Sequence, residues 1–88
     1  MNKKHLQNFY DNKLNSILVD VRNDDEYGFE HLQDSVNIPL DEITNYNFDK
    51  TKTIYLYCKS GKRSMVASMI LNKKGFNVID LGAFEQLK

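Results

Sequence analysis

The stretch Thr53-Ile54-Tyr55-Leu56-Tyr57-Cys58-Lys59-Ser60-Gly61-Lys62-Arg63-Ser64 joins an apolar segment to a basic one with no spacer between them. Its first five residues are β-branched, aromatic or aliphatic, the composition of a strand. That strand runs directly into Cys58. Beyond the polar residues that follow, the segment from Ser64 to Lys74 has apolar side chains at 65, 66, 69 and 70, the spacing of one helix face. Lys73, Lys74 and Gly75 supply the cationic last turn and the glycine stop that such a helix favours. The centre of the chain therefore reads as strand, glycine-containing turn, helix.

The flanks extend this pattern in both directions. After the helix, Asn77-Val78-Ile79-Asp80-Leu81 reads as a further buried strand, which Gly82 is expected to break before a short tail helix carrying Phe84 and Leu87. Before it, Ser16-Ile17-Leu18-Val19-Asp20-Val21 shows no alternation of polar and apolar residues, which suits a strand covered on both faces of a parallel sheet. Asn23 or Asp24 can cap a short helix through Glu30, with acids in its first turn. Val36-Asn37-Ile38 is a short extended piece stopped by Pro39, and a helical turn follows from Asp41 through Ile43 and Tyr46. Leu6, Phe9 and Tyr10 mark one face of a short first helix. The alternation predicts a single α/β domain over residues 1–88, built on a central, mostly parallel sheet flanked by helices.

Composition narrows the function. Twelve Lys and Arg balance twelve Asp and Glu, so the chain lacks the basic field of an obligate nucleic-acid binder. A hydrophobic content of 41% argues against disorder. The longest apolar run is five residues, Ile54 to Cys58, against the roughly 18 needed to span a bilayer. Met1 to Lys13 has no apolar core of a secretory signal, so a cytoplasmic location is expected, with no membrane or nucleic-acid partner. The single cysteine forbids an intramolecular disulfide and cannot build a multi-cysteine zinc cage, even with His5 and His31 available. Charge is unevenly spread: residues 20–49 hold nine acids and one base, residues 50–88 eight bases and two acids. Cys58 lies in the basic half.

In open α/β sheets ligands sit outside the carboxyl ends of the strands, and the loop from Cys58 to Arg63 lies at such an end. A turn with glycine inside it can aim successive N–H groups into one concavity, backed by the positive end of the following helix. Gly61 provides the backbone freedom. A thiol held there, with Lys59, Lys62 and Arg63 around it, is biased toward thiolate. The plainer reading makes Cys58 a small core residue at a strand end. The run Lys-Ser-Gly-Lys-Arg-Ser after a buried strand favours the reactive reading, because it is suited to receive an anion.

These residues resemble the rhodanese-like domains. Asp20-Val21-Arg22, Glu26-Tyr27, His31 and Asn37-Ile38-Pro39 are similar to the family's first signature. Cys58-x-x-Gly61-x-Arg63-Ser64, with Ala67, Leu71 and Gly75-Phe76, is similar to its active-site loop and following helix. The resemblance implies a small three-layer sandwich and a sulfane sulfur carried on Cys58 as a persulfide. Glu30 and Gln33-Asp34-Ser35 depart from the glycine and Pro-Gly-Ala-like turn usual around the His31 position, and Gly82-Ala83 and Leu87 replace a late Gly-Gly and a tryptophan. The six residues from Cys58 to Arg63 match the sulfurtransferase loop, whereas the related cell-cycle phosphatases use one residue more.

The resemblance thus implies Cys58 as nucleophile toward thiosulfate or another small anionic donor, with Lys59, Lys62 and Arg63 holding the sulfonate. Gly61 and its neighbours would supply N–H groups, Ser60 and Ser64 hydroxyl hydrogen bonds, and Asp20 and Arg22 support from below. An ion pair between Arg22 and Glu26 is expected, and Tyr55, Tyr57, Met65 and Met69 are expected to pack in the core or its rim. The acceptor would be a thiol or a protein, and no metal or organic cofactor is needed. A protein-to-protein persulfide carrier and a noncatalytic redox or interaction module are the alternatives. Phosphatase activity ranks last.

Overall fold

The computed structural model describes residues 2–88 and places four strands in one parallel sheet: β1 (Ser16–Asp20), β2 (Val36–Asn37), β3 (Thr53–Cys58) and β4 (Val78–Ala83). Their order is β2-β1-β3-β4. Helix α1 (Asn2–Asp11) packs on one side of the sheet and α3 (Lys62–Lys73) on the other, while the short α2 (Asp24–Phe29) connects β1 to β2. Three 3-10 turns, at Lys13–Asn15, Leu40–Asn45 and Phe84–Gln86, complete the described residues.

The unalternated apolar runs have the expected cause. Successive side chains of β1 and β3 point to opposite faces, and both faces are covered. Val19, Val21, Ile54, Leu56 and Cys58 meet Ala67 and Leu71 of α3, with Ile38, Ile43 and Phe48 closing that layer. On the other face Leu18, Tyr55, Tyr57 and Leu81 meet Leu6 and Phe9 of α1 and the tail residues Phe84 and Leu87. This is the three-layer α/β arrangement expected from the sequence.

Two local expectations are corrected. Gly82 does not end the last strand. It sits in it at φ 84°, and the pairing with β3 slips there, Leu56 facing Asp80 and Tyr57 facing Gly82. A glycine that reads as a breaker is instead a bulge, absorbing one extra residue in a conformation closed to most L-residues. Helix α3 buries Ser64, Ala67 and Leu71, and of the face read from 65, 66, 69 and 70 only Ile70 packs against the core. Met65, Val66 and Met69 are 53%, 42% and 62% exposed, so the two methionines are not core residues. Small side chains let the helix lie close to the sheet, and closeness decided its orientation over hydrophobicity.

The topology positions the site. From β1 the chain crosses to β2 on one side and then returns to β3 on the other, so the strand order reverses between β1 and β3. Such a reversal opens a crevice at the carboxyl ends of the two strands. Asp20 ends β1 there, beside Tyr57, and Cys58 ends β3.

Candidate active site

Cys58 is the last residue of β3 and has no exposed surface. Its Sγ accepts N–H groups from Gly61 at 3.0 Å and Ser64 at 3.3 Å. The thiol lies 3.5 Å from the Ser64 hydroxyl, which donates in turn to the Gly61 carbonyl at 3.2 Å. The sulfur thus rests inside the turn and against the first turn of α3, where the N–H groups of Lys62 and Arg63 have no acceptor within the helix. The turn closes because Gly61, the residue capping α3, takes φ 97°. It lies over the bulge of β4: a Cβ added to Gly61 would stand 3.8 Å from the Cα of Gly82. The bulge in one strand therefore forms the floor of the loop that leaves its neighbour.

The bases of the loop divide into two kinds. Lys59, Ser60 and Lys62 are exposed. Arg63, expected beside them on the sulfonate, instead meets Glu26 through both terminal nitrogens, Nη1 to Oε1 at 2.7 Å and Nη2 to Oε2 at 3.1 Å. Glu26 is fixed from its other side. It is the third residue of α2, its N–H donates to the Asn23 side chain, and its carboxylate accepts the Asn23 N–H, a complete capping box. The hydrogen bonds from Arg63 hold the Glu26 carboxyl at about 2, well below its ordinary 4.5. A forked, charge-assisted contact of this kind fixes orientation as well as charge.

Arg22 does not pair with Glu26. Its guanidinium is buried against Asp20, with Nη2 at 2.6 Å and Nε at 2.9 Å from Oδ2, and its N–H donates to Oδ1 at 2.9 Å. The same Nη2 donates to the Glu30 carbonyl at 2.7 Å, and the Phe84 ring lies 4.6 Å from Cζ. Asp20 and Arg22 therefore brace the end of β1 against α2 and the tail, a supporting position beneath the crevice. Tyr57 completes this support: its hydroxyl accepts the Leu32 N–H at 3.1 Å and meets the Ser35 hydroxyl at 3.0 Å. Burial pushes its phenol up. His31 is exposed, stacked on Tyr27 at 3.8 Å and tied through Nδ1 to the Tyr27 carbonyl, a packing role.

Of the residues picked out in the sequence, the fold gathers Cys58, Gly61 and Ser64 around one sulfur and leaves Lys59, Ser60 and Lys62 at its edge. Sequence reasoning missed Glu26 as the partner of Arg63. The nearby Arg22 was the expected partner, and nothing local marked a residue 37 positions away instead. Among the described residues no group of three or more His, Cys, Asp or Glu is arranged to hold a metal, and no helix is long and apolar enough to cross a membrane.

Comparison with known proteins agrees with the fold. The family model described as Rhodanese-like domain matches residues 2–87. A thiosulfate sulfurtransferase of Escherichia coli, PspE, is 35% identical over 66 residues, covering 70% of this chain and 64% of that protein. A putative sulfur carrier protein of Bacillus subtilis, YrkF, is 35% identical over 71 residues, covering 78% of this chain and 37% of its own length. Among solved structures, a rhodanese-like domain protein from Staphylococcus aureus superposes with a TM-score of 0.83 at 27% identity, covering 98% of this chain and 87% of that one. The chain spans less than two thirds of the length of the curated relatives it matches.

Proposed function

The chain belongs to the rhodanese-like domain family, and on that premise we propose that it is a sulfurtransferase working through a persulfide on Cys58. The observation that carries the reading is the buried Sγ held by the N–H groups of Gly61 and Ser64 at the start of α3. Donors aimed at a nucleophile's own sulfur stabilise it as an anion and keep it oriented for in-line attack. Sulfurtransferase and sulfur-carrier relatives support sulfur transfer as the general chemistry.

With thiosulfate as donor, the Cys58 thiolate attacks the outer sulfur, a new S–S bond forms, and the old one breaks with its electron pair leaving on sulfite. Charge is conserved, since thiolate and thiosulfate dianion become persulfide anion and sulfite dianion. Lys59 and Lys62 stand where they can attract the sulfonate. The free N–H groups of the first helical turn suit the charge of the outer sulfur, as donors in an oxyanion hole suit oxygen. A thiophilic acceptor then takes that sulfur and returns Cys58 as thiolate. Neither step calls for a metal or an organic cofactor.

The Glu26–Arg63 pair favours one second reading. With Arg63 neutralised, the grip on a small dianion falls to two exposed lysines, and a domain that receives its sulfur from another protein needs no stronger one. In that carrier reading, loading from a protein donor outpaces loading from thiosulfate.

Intact mass of the purified protein after thiosulfate treatment tests the chemistry directly. The expected result is a gain of one sulfur atom that is absent in Cys58→Ser and removed by cyanide. Absence of the gain with thiosulfate and with a desulfurase-type donor alike would overturn the sulfur-transfer reading.

A further inference from the structure

Helix α3 presents outward a stripe that the fold does not use. At 3.6 residues per turn Lys62, Met65, Val66, Met69 and Lys73 fall within an arc of roughly 100°, opposite the buried Ser64, Ala67 and Leu71. All five are exposed. The three apolar members form the middle of the stripe and a lysine stands at each end. Methionines exposed on a helix adapt to varied partners because their side chains are unbranched and polarisable. The ion pairs among the described residues involve neither Lys59, Lys62 nor Lys73, so the positive ends are not neutralised within the chain.

The stripe is continuous with the sulfur site. Met65 lies in the first turn of the helix that Gly61 caps, its N–H bonded to the Gly61 carbonyl at 3.1 Å. Because Cys58 has no exposed surface, a protein cysteine that reaches a sulfur carried there must bring its own surface down onto the loop and the start of α3. From Lys62 to Lys73 the stripe runs about 16 Å, the length of one helix or loop of a partner. A contact of that size is smaller than a stable interface, which suits an encounter that must end after each transfer.

We propose that this face of α3 docks the protein that accepts sulfur from Cys58, and that the acceptor offers a cysteine beside an apolar patch flanked by carboxylates. The proposal rests on the persulfide reading given above and adds the acceptor's class to it. The apolar centre requires an apolar counterpart, and the unpaired lysines at both ends require negative charge. In the transfer, the persulfide anion first takes a proton from solvent, and the acceptor thiolate attacks the outer sulfur of the resulting Cys58 hydropersulfide. One S–S bond forms and one breaks, the proton stays on the transferred sulfur, and the electron pair of the broken bond returns to Sγ as thiolate. No oxidant or reductant is consumed.

The test uses two synthetic helical peptides, each with one cysteine beside a leucine stripe, one flanked by glutamates and the other by lysines. Cys58 is loaded with inorganic polysulfide, so that loading does not depend on thiosulfate, and persulfide appearing on the peptide is followed by mass. The acidic peptide is expected to accept sulfur at least tenfold faster than the basic one. Met69→Glu, a change at an exposed position two turns from the loop, is expected to remove that advantage while leaving thiosulfate–cyanide turnover within twofold. Equal rates for the two peptides, or an advantage untouched by Met69→Glu and by Met65→Ser, would overturn the proposal.

Amide chemical shifts recorded with the acidic peptide need no sulfur chemistry and separate the two ideas. Shifts along α3 without any persulfide would uphold the docking face and remove the sulfur-transfer reading. Persulfide transfer without such shifts does the reverse. Self-association that Met69→Glu abolishes, with no preference for the acidic peptide, would assign the face to a second copy of the chain and overturn the proposal.

Discussion

Around Cys58 each loop residue is assigned by what it touches. Lys59 and Lys62 touch no carboxylate among the ion pairs described, whereas Arg63 is clasped by Glu26. On the proposed reading, binding of an anionic donor therefore depends on the two lysines. Lys59→Ala and Lys62→Ala are each expected to raise the thiosulfate KM roughly two- to fivefold, the worth of one exposed charge contact, with a smaller change in kcat. Steady-state kinetics checks this, and an unchanged KM in both would dismiss the lysines as the sulfonate site. Glu26 makes a separate prediction. Its folded pKa of about 2 lies below the ordinary 4.5, so its contribution is full above pH about 4.5 and is lost as pH falls toward about 2. Denaturant midpoints across that window should fall with acid in the native protein and more gently in Glu26→Gln, which starts lower at neutral pH.

At the scale of elements, α2 is the piece whose sequence declares it and whose purpose the sequence hides. The start was legible to within one residue, Asn23 or Asp24, because capping residues with acids in the turn that follows mark a helix start, and the structure selects Asn23. Asn23→Ala removes the side-chain acceptor of the Glu26 N–H while keeping the backbone N–H that meets the Glu26 carboxylate, and is expected to cost about 1 kcal/mol by chemical denaturation. Because Glu26 sits in that box, the same change should loosen Arg63 and raise amide exchange at the start of α3. A change in exchange confined to α2 would show that the two ends are not coupled. The strands were legible for a different reason: runs such as Thr53–Cys58 are apolar on both faces, and only a doubly covered sheet accepts them. The buried face of α3 was not legible. Counting apolar residues selects Met65, Val66, Met69 and Ile70, of which only Ile70 packs against the core, while contact with the sheet uses the small Ser64 and Ala67. Gly82 misled for a related reason, since a glycine marks both a stop and a bulge and only the neighbouring strand distinguishes them.

Across the whole molecule, the buried Asp20–Arg22 pair joins parts that are distant in the chain: the end of β1, the Glu30 carbonyl after α2, and Phe84 in the tail. Its two members were picked out as site support because Asp20-Val21-Arg22 lies at a strand end and resembles the family's first signature. Their mutual pairing, and that of Glu26 with Arg63, depended on the arrangement of strands. Asp20→Ala leaves a guanidinium buried without its counter-charge, an expected loss of about 3–5 kcal/mol. That is a large part of the total for a small domain, so thermal unfolding by circular dichroism should show a collapse of the transition. Asp20→Asn keeps an acceptor for Arg22 and should fall between the two. Equal melting of all three would deny the pair its bracing role.

The parallel order β2-β1-β3-β4 has a further consequence, for the timing of folding. The sheet contains no hairpin, so no two strands can zip together through a tight turn. The register that pairs Ser16 with Thr53 closes a long span of chain before any ladder between β1 and β3 exists. Loop closure of that length must precede the contacts that reward it. A chain emerging from the ribosome therefore has only helices and a two-residue strand pairing to form until β3 arrives. Cys58, the last residue of β3, enters the sheet as part of the step that completes its central pairing.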